Sequence, residues 1–339
     1  MSHIGVGIIG TGSIVHTYVK CLSELEGVRI VGLCTKSADR VEQLKADFGL
    51  PIYSDLNTFV QHPEIDLVCV CNESGRHSIA IEAAAKAGKH ILSEKPLEVT
   101  TEKIDGLIAL CEERKVLLGC VLQNRCSTDY KQVENAVKSG KLGKLLMGNA
   151  SINWYRSQAY YANSKWRGTK KLDGGAAFIN QGIHTVDLLQ NLMGPAVSVF
   201  ANVQTRVHEI EGEDVGAVLV NYENGAMGTI TAGTALFPGY PERVEGYGEK
   251  GSIIMEGGKI IAWNVKGEDV PELTSKEQGS GAADPTAIGH HNHKVVLQDM
   301  VNAIRENRKP MVDGAEARKS VALINAIYRS SKSKKQVQL

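Results

Sequence analysis

Up to about residue 125, short apolar runs rich in β-branched residues alternate with segments whose apolar positions recur at helical period, which predicts parallel strands joined by crossover helices. The runs at 5–10, 28–34, 66–71, 90–93 and 116–122 are apolar throughout, as strands covered on both faces must be. Helices are predicted over 13–25, 38–48, 77–87 and 102–113, with Ser37 and Thr101 as N-caps and Gly49 and Gly88 as stops. A linking helix, 128–139, closes at Gly140, and the pattern then changes. Strands that alternate apolar and polar positions follow at 145–155, 197–207, 215–222, 226–234, 243–248, 252–256 and 259–265, with hairpin signals at Asn224-Gly225 and Gly257-Gly258. This half reads as antiparallel, interrupted by a helix over 175–192. A polar, Gly/Ser/Ala-rich stretch at 272–289 precedes two helices, 292–307 and 315–330, and the tail 332–339 reads as a solvated end. The expected fold is α/β: a doubly wound parallel-sheet domain, 1–125, and a second domain, 126–339, with a mostly antiparallel sheet.

The length of 339 residues agrees with two domains of about 150 residues each. With 42% apolar and 22% charged residues the chain is globular, and its 38 basic and 38 acidic residues leave no positive field for nucleic acid. The longest charge-free stretch, 188–205, contains Gln190, Asn191, Gly194, Pro195 and Asn202, so no transmembrane helix is expected. The first residues leave no room for a secretory leader, and a cytoplasmic protein is expected. Seven cysteines, odd in number and never spaced CxxC, read as reduced core residues rather than disulfides or a zinc site.

Candidate chemistry begins at Gly10-Thr11-Gly12, between the first strand and first helix, where absent side chains let backbone N–H groups face a pyrophosphate. Gly10, Thr11, Gly12, Ser13 and Ile14 are therefore expected to hold a dinucleotide, although Val15 stands where the fingerprint has a third small residue. The second strand ends in Thr35-Lys36-Ser37 without the acid that would accept from an NAD ribose, and with Arg40 nearby this favours NADP, NAD remaining possible. In an open parallel sheet, ligands lie beyond the carboxyl ends of the strands. Asn72, Glu73, His77, Glu94, Lys95 and Gln123 fall there as cofactor contacts, and Arg125 as a substrate contact. Pro96 disfavours helical geometry at Lys95, which should stand extended at the strand mouth.

Gly10-Thr11-Gly12, His77 and Glu94-Lys95-Pro96, together with Asp173-Gly174-Gly175, the run from Asn180 to Asp187 and the C-terminal stretch 303–328, resemble the Gfo/Idh/MocA oxidoreductases over essentially the whole chain. The resemblance implies a Rossmann domain, a second domain on an open sheet, C-terminal helices returning to the first domain, and NAD(P)-dependent oxidation or reduction of a sugar or cyclitol carbon. It makes Lys95 the catalytic-site lysine and His184 the acid/base, and puts Asn180 where many members carry Asp. Spaced i, i+4, i+7, residues 180, 184 and 187 would share one helix face, and Asn180 can bond a hydroxyl but contributes no charge, leaving Asp187 as a candidate source. Removing hydride from a carbinol carbon needs a base for the hydroxyl proton, which imidazole, titrating near pH ~6.5, supplies, while Lys95 stabilises charge developing on the same oxygen.

Tyr155, Arg156, Trp166 and Arg167 join Lys95, Arg125, Asn180 and His184 as expected substrate contacts, because such side chains stack on pyranose rings or pair with anionic substituents. His290, His291 and His293 lack the companion ligands of a metal site and read as a helix start, one of them reaching towards substrate. An open sheet needs cover, so a homodimer or homotetramer is expected. Two other functions compete with sugar oxidoreduction: a sugar-nucleotide 3-dehydrogenase, with Arg156 or Arg167 holding a pyrophosphate or uronate, and a cofactor-binding sensor without turnover.

Overall fold

A computed structural model describes residues 3–271, 282 and 290–339, so the polar stretch read at 272–289 lies outside the described residues except for Ala282. The chain forms two compact units, Met1–Leu122 with His290–Arg318, and Gln123–Gly289 with Lys319–Leu339.

The first unit holds β1 (Ile4–Ile9), β2 (Val28–Cys34), β3 (Ile52–Tyr53), β4 (Leu67–Val70), β5 (His90–Ser93) and β6 (Leu118–Cys120). They pair in parallel in the order β3-β2-β1-β4-β5-β6, the doubly wound arrangement whose order reverses at β1 and β4. Every residue of β1 and β4 is buried, which accounts for runs without polar alternation. The two-residue edge strand β3 and the short helix Leu56–Val60, capped by Asp55 accepting from the Thr58 N–H at 2.7 Å, are too brief to show a period in sequence. Two expected caps are corrected. The helix Thr101–Glu113 is capped by Thr100, whose hydroxyl accepts from the Lys103 N–H, and Ser37 makes no capping bond to the turn that follows it.

The second unit holds β7 (Leu145–Asn153), β8 (Ala196–Gln204), β9 (Val215–Tyr222), β10 (Met227–Gly233), β11 (Arg243–Gly248), β12 (Gly251–Glu256), β13 (Lys259–Val265) and β14 (Val337–Gln338). Their order is β13-β12-β11-β7-β10-β9-β8-β14. All neighbours are antiparallel except β7 and β10, so the sheet is mixed. Gly225 and the pair Gly257, Gly258 have the positive φ that the β9–β10 and β12–β13 turns demand. The tail is not simply solvated, because β14 adds to the edge of β8. One sheet face packs against the helix Ile183–Met193, which approaches β7 so closely that a Cβ on Gly148 would lie 2.5 Å from Met193. On the other face Met147, Phe200, Leu219 and Met227 stand exposed.

Candidate active site

Beyond β1, the chain turns at Gly10, whose φ of +103° favours glycine and where a Cβ would come within 2.6 Å of the Cys71 and Asn72 backbone. Packing therefore requires Gly10. Gly12 is different: it has no left-handed φ, and a Cβ there meets no atom within 4 Å. The fold itself would tolerate a side chain at Gly12, and its absence keeps open the space above the turn. Ser13 is exposed, and the helix Val15–Ser23 starts behind Ile14 with no side-chain cap and no acid in its first turn. At the end of β4, the buried Asn72 Oδ1 makes no hydrogen bond among the described residues. An uncapped helix start, a turn built on Gly10 and Gly12, and an orphaned amide oxygen at the neighbouring mouths of β1 and β4 fit a dinucleotide. Thr35 is buried, its hydroxyl 3.0 Å from the Thr11 hydroxyl and accepting from the Ser37 N–H, whereas Lys36 and Arg40 are exposed, the Arg40 guanidinium donating to the Thr11 carbonyl at 3.4 Å.

At the mouth of β5, half-buried Lys95 precedes Pro96 through a cis peptide. Behind it, the Glu94 carboxylate accepts from the Tyr18 hydroxyl at 2.9 Å and from the Lys95 N–H at 3.2 Å, and the buried His293 Nε2 lies 3.8 Å away. His77, expected to touch cofactor, is instead buried, with its ring nitrogens 2.8 Å from the Pro96 carbonyl and 3.0 Å from the Asn72 carbonyl. It ties these two strand-end loops together. Glu73 pairs with Arg76 at 3.7 Å. Among the described residues no group of three or more His, Cys, Asp or Glu could hold a metal ion.

Burial holds the His293 imidazole below its ordinary pKa, with Lys95 and His290 acting the same way and Glu94 opposing. Burial also lowers His90, against Asp66. The unfolded chain takes up these protons at about pH 6.5 while the folded chain resists them, so stability falls as pH drops below about 6.5. Melting curves at neutral and mildly acidic pH should show this loss, and a smaller loss for His293→Phe; equal losses would contradict it.

In the second unit, the predicted continuous helix over 175–192 is a π-helical turn, Ala177–Gln181, followed by the α-helix Ile183–Met193. Asn180 thus lies in the π turn and His184 in the first α turn, off the single regular face that the spacing suggested; π turns often mark functional sites. The turn is shaped by Glu213, whose buried carboxylate accepts from the Phe178 N–H at 2.8 Å and the Tyr328 hydroxyl at 2.9 Å. Burial raises the Glu213 pKa despite these bonds. Gly175, with φ of +154°, leaves the room that Tyr328 and Glu213 fill. Nothing in the sequence pattern singled out Glu213.

Asn180 Nδ2 donates to Asp173 Oδ1, and Gln181 Nε2 donates to Asn180 Oδ1 at 2.5 Å. Arg156 is not a solvent-facing group but buried, donating from Nε to Gln181 Oε1 at 3.0 Å and from Nη1 to the Tyr155 and Ala282 carbonyls. Arg125 is likewise buried, in a two-pronged pair with Asp187 at 2.7 Å on each prong, and Asp187 also accepts from Ser320. Asp187 is therefore engaged by Arg125 and does not stand in for a carboxylate at 180. Tyr155, half-buried, packs edge-on against Phe237, and the Arg167 guanidinium lies 4.3 Å over the Tyr160 ring beside half-buried Trp166. Gln123 is buried with its Oε1 making no hydrogen bond among the described residues.

Residues 4–121 match the oxidoreductase family with an NAD-binding Rossmann fold, and residues 130–254 match the GFO/IDH/MocA C-terminal domain. The chain belongs to the Gfo/Idh/MocA oxidoreductase family. It is an oxidoreductase whose first unit carries an NAD(P)-binding Rossmann fold. The myo-inositol 2-dehydrogenase of Thermotoga maritima is 25% identical over 347 residues, covering 98% of each chain. The scyllo-inositol 2-dehydrogenase (NADP(+)) IolW of Bacillus subtilis is 27% identical over 356 residues, covering 99% of this chain and 96% of that one. The crystal structure of the WlbA dehydrogenase from Bordetella pertussis, in complex with NADH and UDP-GlcNAcA, superimposes with a TM-score of 0.88 at 29% identity over 99% of each chain. No helix among the described residues is long and apolar enough to cross a membrane.

Proposed function

We propose that this Gfo/Idh/MocA protein is a sugar or cyclitol dehydrogenase that prefers NADP, with His184 as acid/base and Lys95 polarising the reacting oxygen. Its inositol-dehydrogenase relatives, similar along nearly their whole length, carry this reading. The bound dinucleotide would accept or supply the hydride at the substrate carbon. Gly10, Thr11, Gly12, Ser13 and Ile14 would hold its pyrophosphate through backbone N–H groups, and Asn72 would bond a donor on it. His184 takes the hydroxyl proton as the carbon is oxidised and returns it in reduction. Lys95 donates a hydrogen bond to the same oxygen, and Asn180 bonds a neighbouring hydroxyl. The purified protein, mixed with NAD or NADP and a panel of inositols, aldoses and anhydrosugars, should change nicotinamide absorbance with at least one; silence across the panel would contradict the reading.

The NADP preference rests on exposed Lys36 and Arg40 at the end of β2, where the buried Thr35 hydroxyl is occupied by Thr11 and Ser37. Replacing both cations, Lys36→Glu with Arg40→Ala, should weaken NADP about ten- to a hundredfold, the range of one or two charge-assisted bonds, and leave NAD nearly unchanged. Gly12→Val, in contrast, should weaken both coenzymes while leaving the melting temperature close to that of the parent. Tighter NAD than NADP binding in the unaltered protein would remove the preference.

The likeness to a dehydrogenase solved with UDP-GlcNAcA favours one further reading, a sugar-nucleotide substrate met by Arg167 rather than by Arg156, which is held by Gln181. Thermal stabilisation by UDP-sugars and not by free sugars would select it. The exposed Met147, Phe200, Leu219 and Met227 face is proposed to be covered by a second copy. Sedimentation should then give a mass at least twice 36.6 kDa, reduced by Phe200→Asp with Leu219→Lys; a monomer in the parent would contradict it.

A further inference from the structure

Asn180 is neutral, yet a carboxylate lies directly behind it. Arg156 Nε donates to Gln181 Oε1, Gln181 Nε2 to Asn180 Oδ1, and Asn180 Nδ2 to Asp173 Oδ1, while Asp173 Oδ2 accepts from the Gly168 N–H at 2.7 Å. All four side chains are buried. A guanidinium only donates and a carboxylate only accepts, so the two charged ends leave one orientation for each intervening amide. Reversing either amide would set two donors or two acceptors face to face at both of its bonds.

We infer that Asp173 is a positioning residue that lends the neutral Asn180 amide some of the character of a carboxylate. A carboxylate accepting from Nδ2 draws electron density towards Oδ1, and bonds aligned in series strengthen one another in a low-dielectric interior. Asn180 is thereby fixed with an enriched amide oxygen, suited to accept from a substrate hydroxyl. The buried negative charge is kept one residue back, balanced through the chain by Arg156. This rests on the reading above that Asn180 faces the substrate. It differs from a purely structural role for Asp173 in requiring charge at 173 or 180, and not merely an acceptor for Gly168.

The test compares the parent, Asp173→Asn, Asn180→Asp and the swap of both. Asp173→Asn must offer its oxygen to Gly168 and its amide to Asn180, forcing the series to reverse against Arg156. It should lower kcat roughly tenfold or more with coenzyme affinity unchanged. Asn180→Asp sets two carboxylates in contact and should lower the melting temperature. The swap should regain both, with kcat above that of Asp173→Asn and melting above that of Asn180→Asp. A swap no better than the combined single effects in kcat and in melting overturns the inference. If Asp173→Asn does not fold, the comparison of Asn180→Asp with the swap still decides, since a swap melting no higher overturns it. Absence of turnover in the parent would instead count against the proposed reaction, and the melting comparison would still read the charge coupling.

Discussion

His184→Ala lowers kcat by about 10²- to 10⁴-fold, the loss expected when a positioned acid/base is removed. Oxidation of a carbinol requires its hydroxyl proton to leave as the carbon gives up hydride, and imidazole is the one side chain whose ordinary titration range is near neutrality. Only Gly182 separates the π turn Ala177–Gln181 from the helix that bears His184, so the ring sits on a buried helical support rather than on a loop. Coenzyme affinity should be unchanged, because the dinucleotide turn belongs to the other unit's sequence, Gly10 to Ile14. Steady-state rates together with coenzyme titration check this. A rate within threefold of the parent would remove His184 from the chemistry.

Asp187→Ala destabilises the protein by about 3–5 kcal/mol, because it leaves the buried Arg125 guanidinium without its two-pronged partner. Arg125→Met alone should cost a similar amount, stranding Asp187 with only the Ser320 hydroxyl among the partners described above. Replacing both, Arg125→Met with Asp187→Leu, removes two desolvated charges at once and should cost less than either single change. Denaturant titration of the three variants measures this. Single changes worth under about 0.5 kcal/mol would show that the pair is inconsequential, in the manner of surface ion pairs.

The first unit is readable because its strands are apolar runs separated by amphipathic helices, so that period and turn chemistry agree. β3 escaped notice because two residues have no period, and β14 because an edge strand of Val337–Gln338 needs only backbone pairing. The parallel β7–β10 contact joins strands far apart in sequence, which no local pattern records. Glycine carried the clearest site signal: Gly10 by its φ, Gly12 by the space it leaves. Residue type suggests Arg125 and Arg156 as substrate contacts but does not record that each is buried against a partner 62 or 25 positions away, respectively Asp187 and Gln181. The place of His77 at a strand end suggests a cofactor contact but not that its ring nitrogens face the Pro96 and Asn72 carbonyls. Asp173 stood in plain view before its glycine pair, but its bond to Asn180 depends on the π turn, a backbone irregularity without a sequence rule.

The proposed reaction is hydride transfer from a carbinol carbon to the nicotinamide. It is tested most directly by giving the protein a polyol substrate deuterated at that carbon, with oxidised coenzyme, and locating the label by mass spectrometry. Deuterium in the reduced nicotinamide coenzyme is the predicted result; deuterium released to water, or coenzyme left unreduced while substrate is consumed, would contradict it.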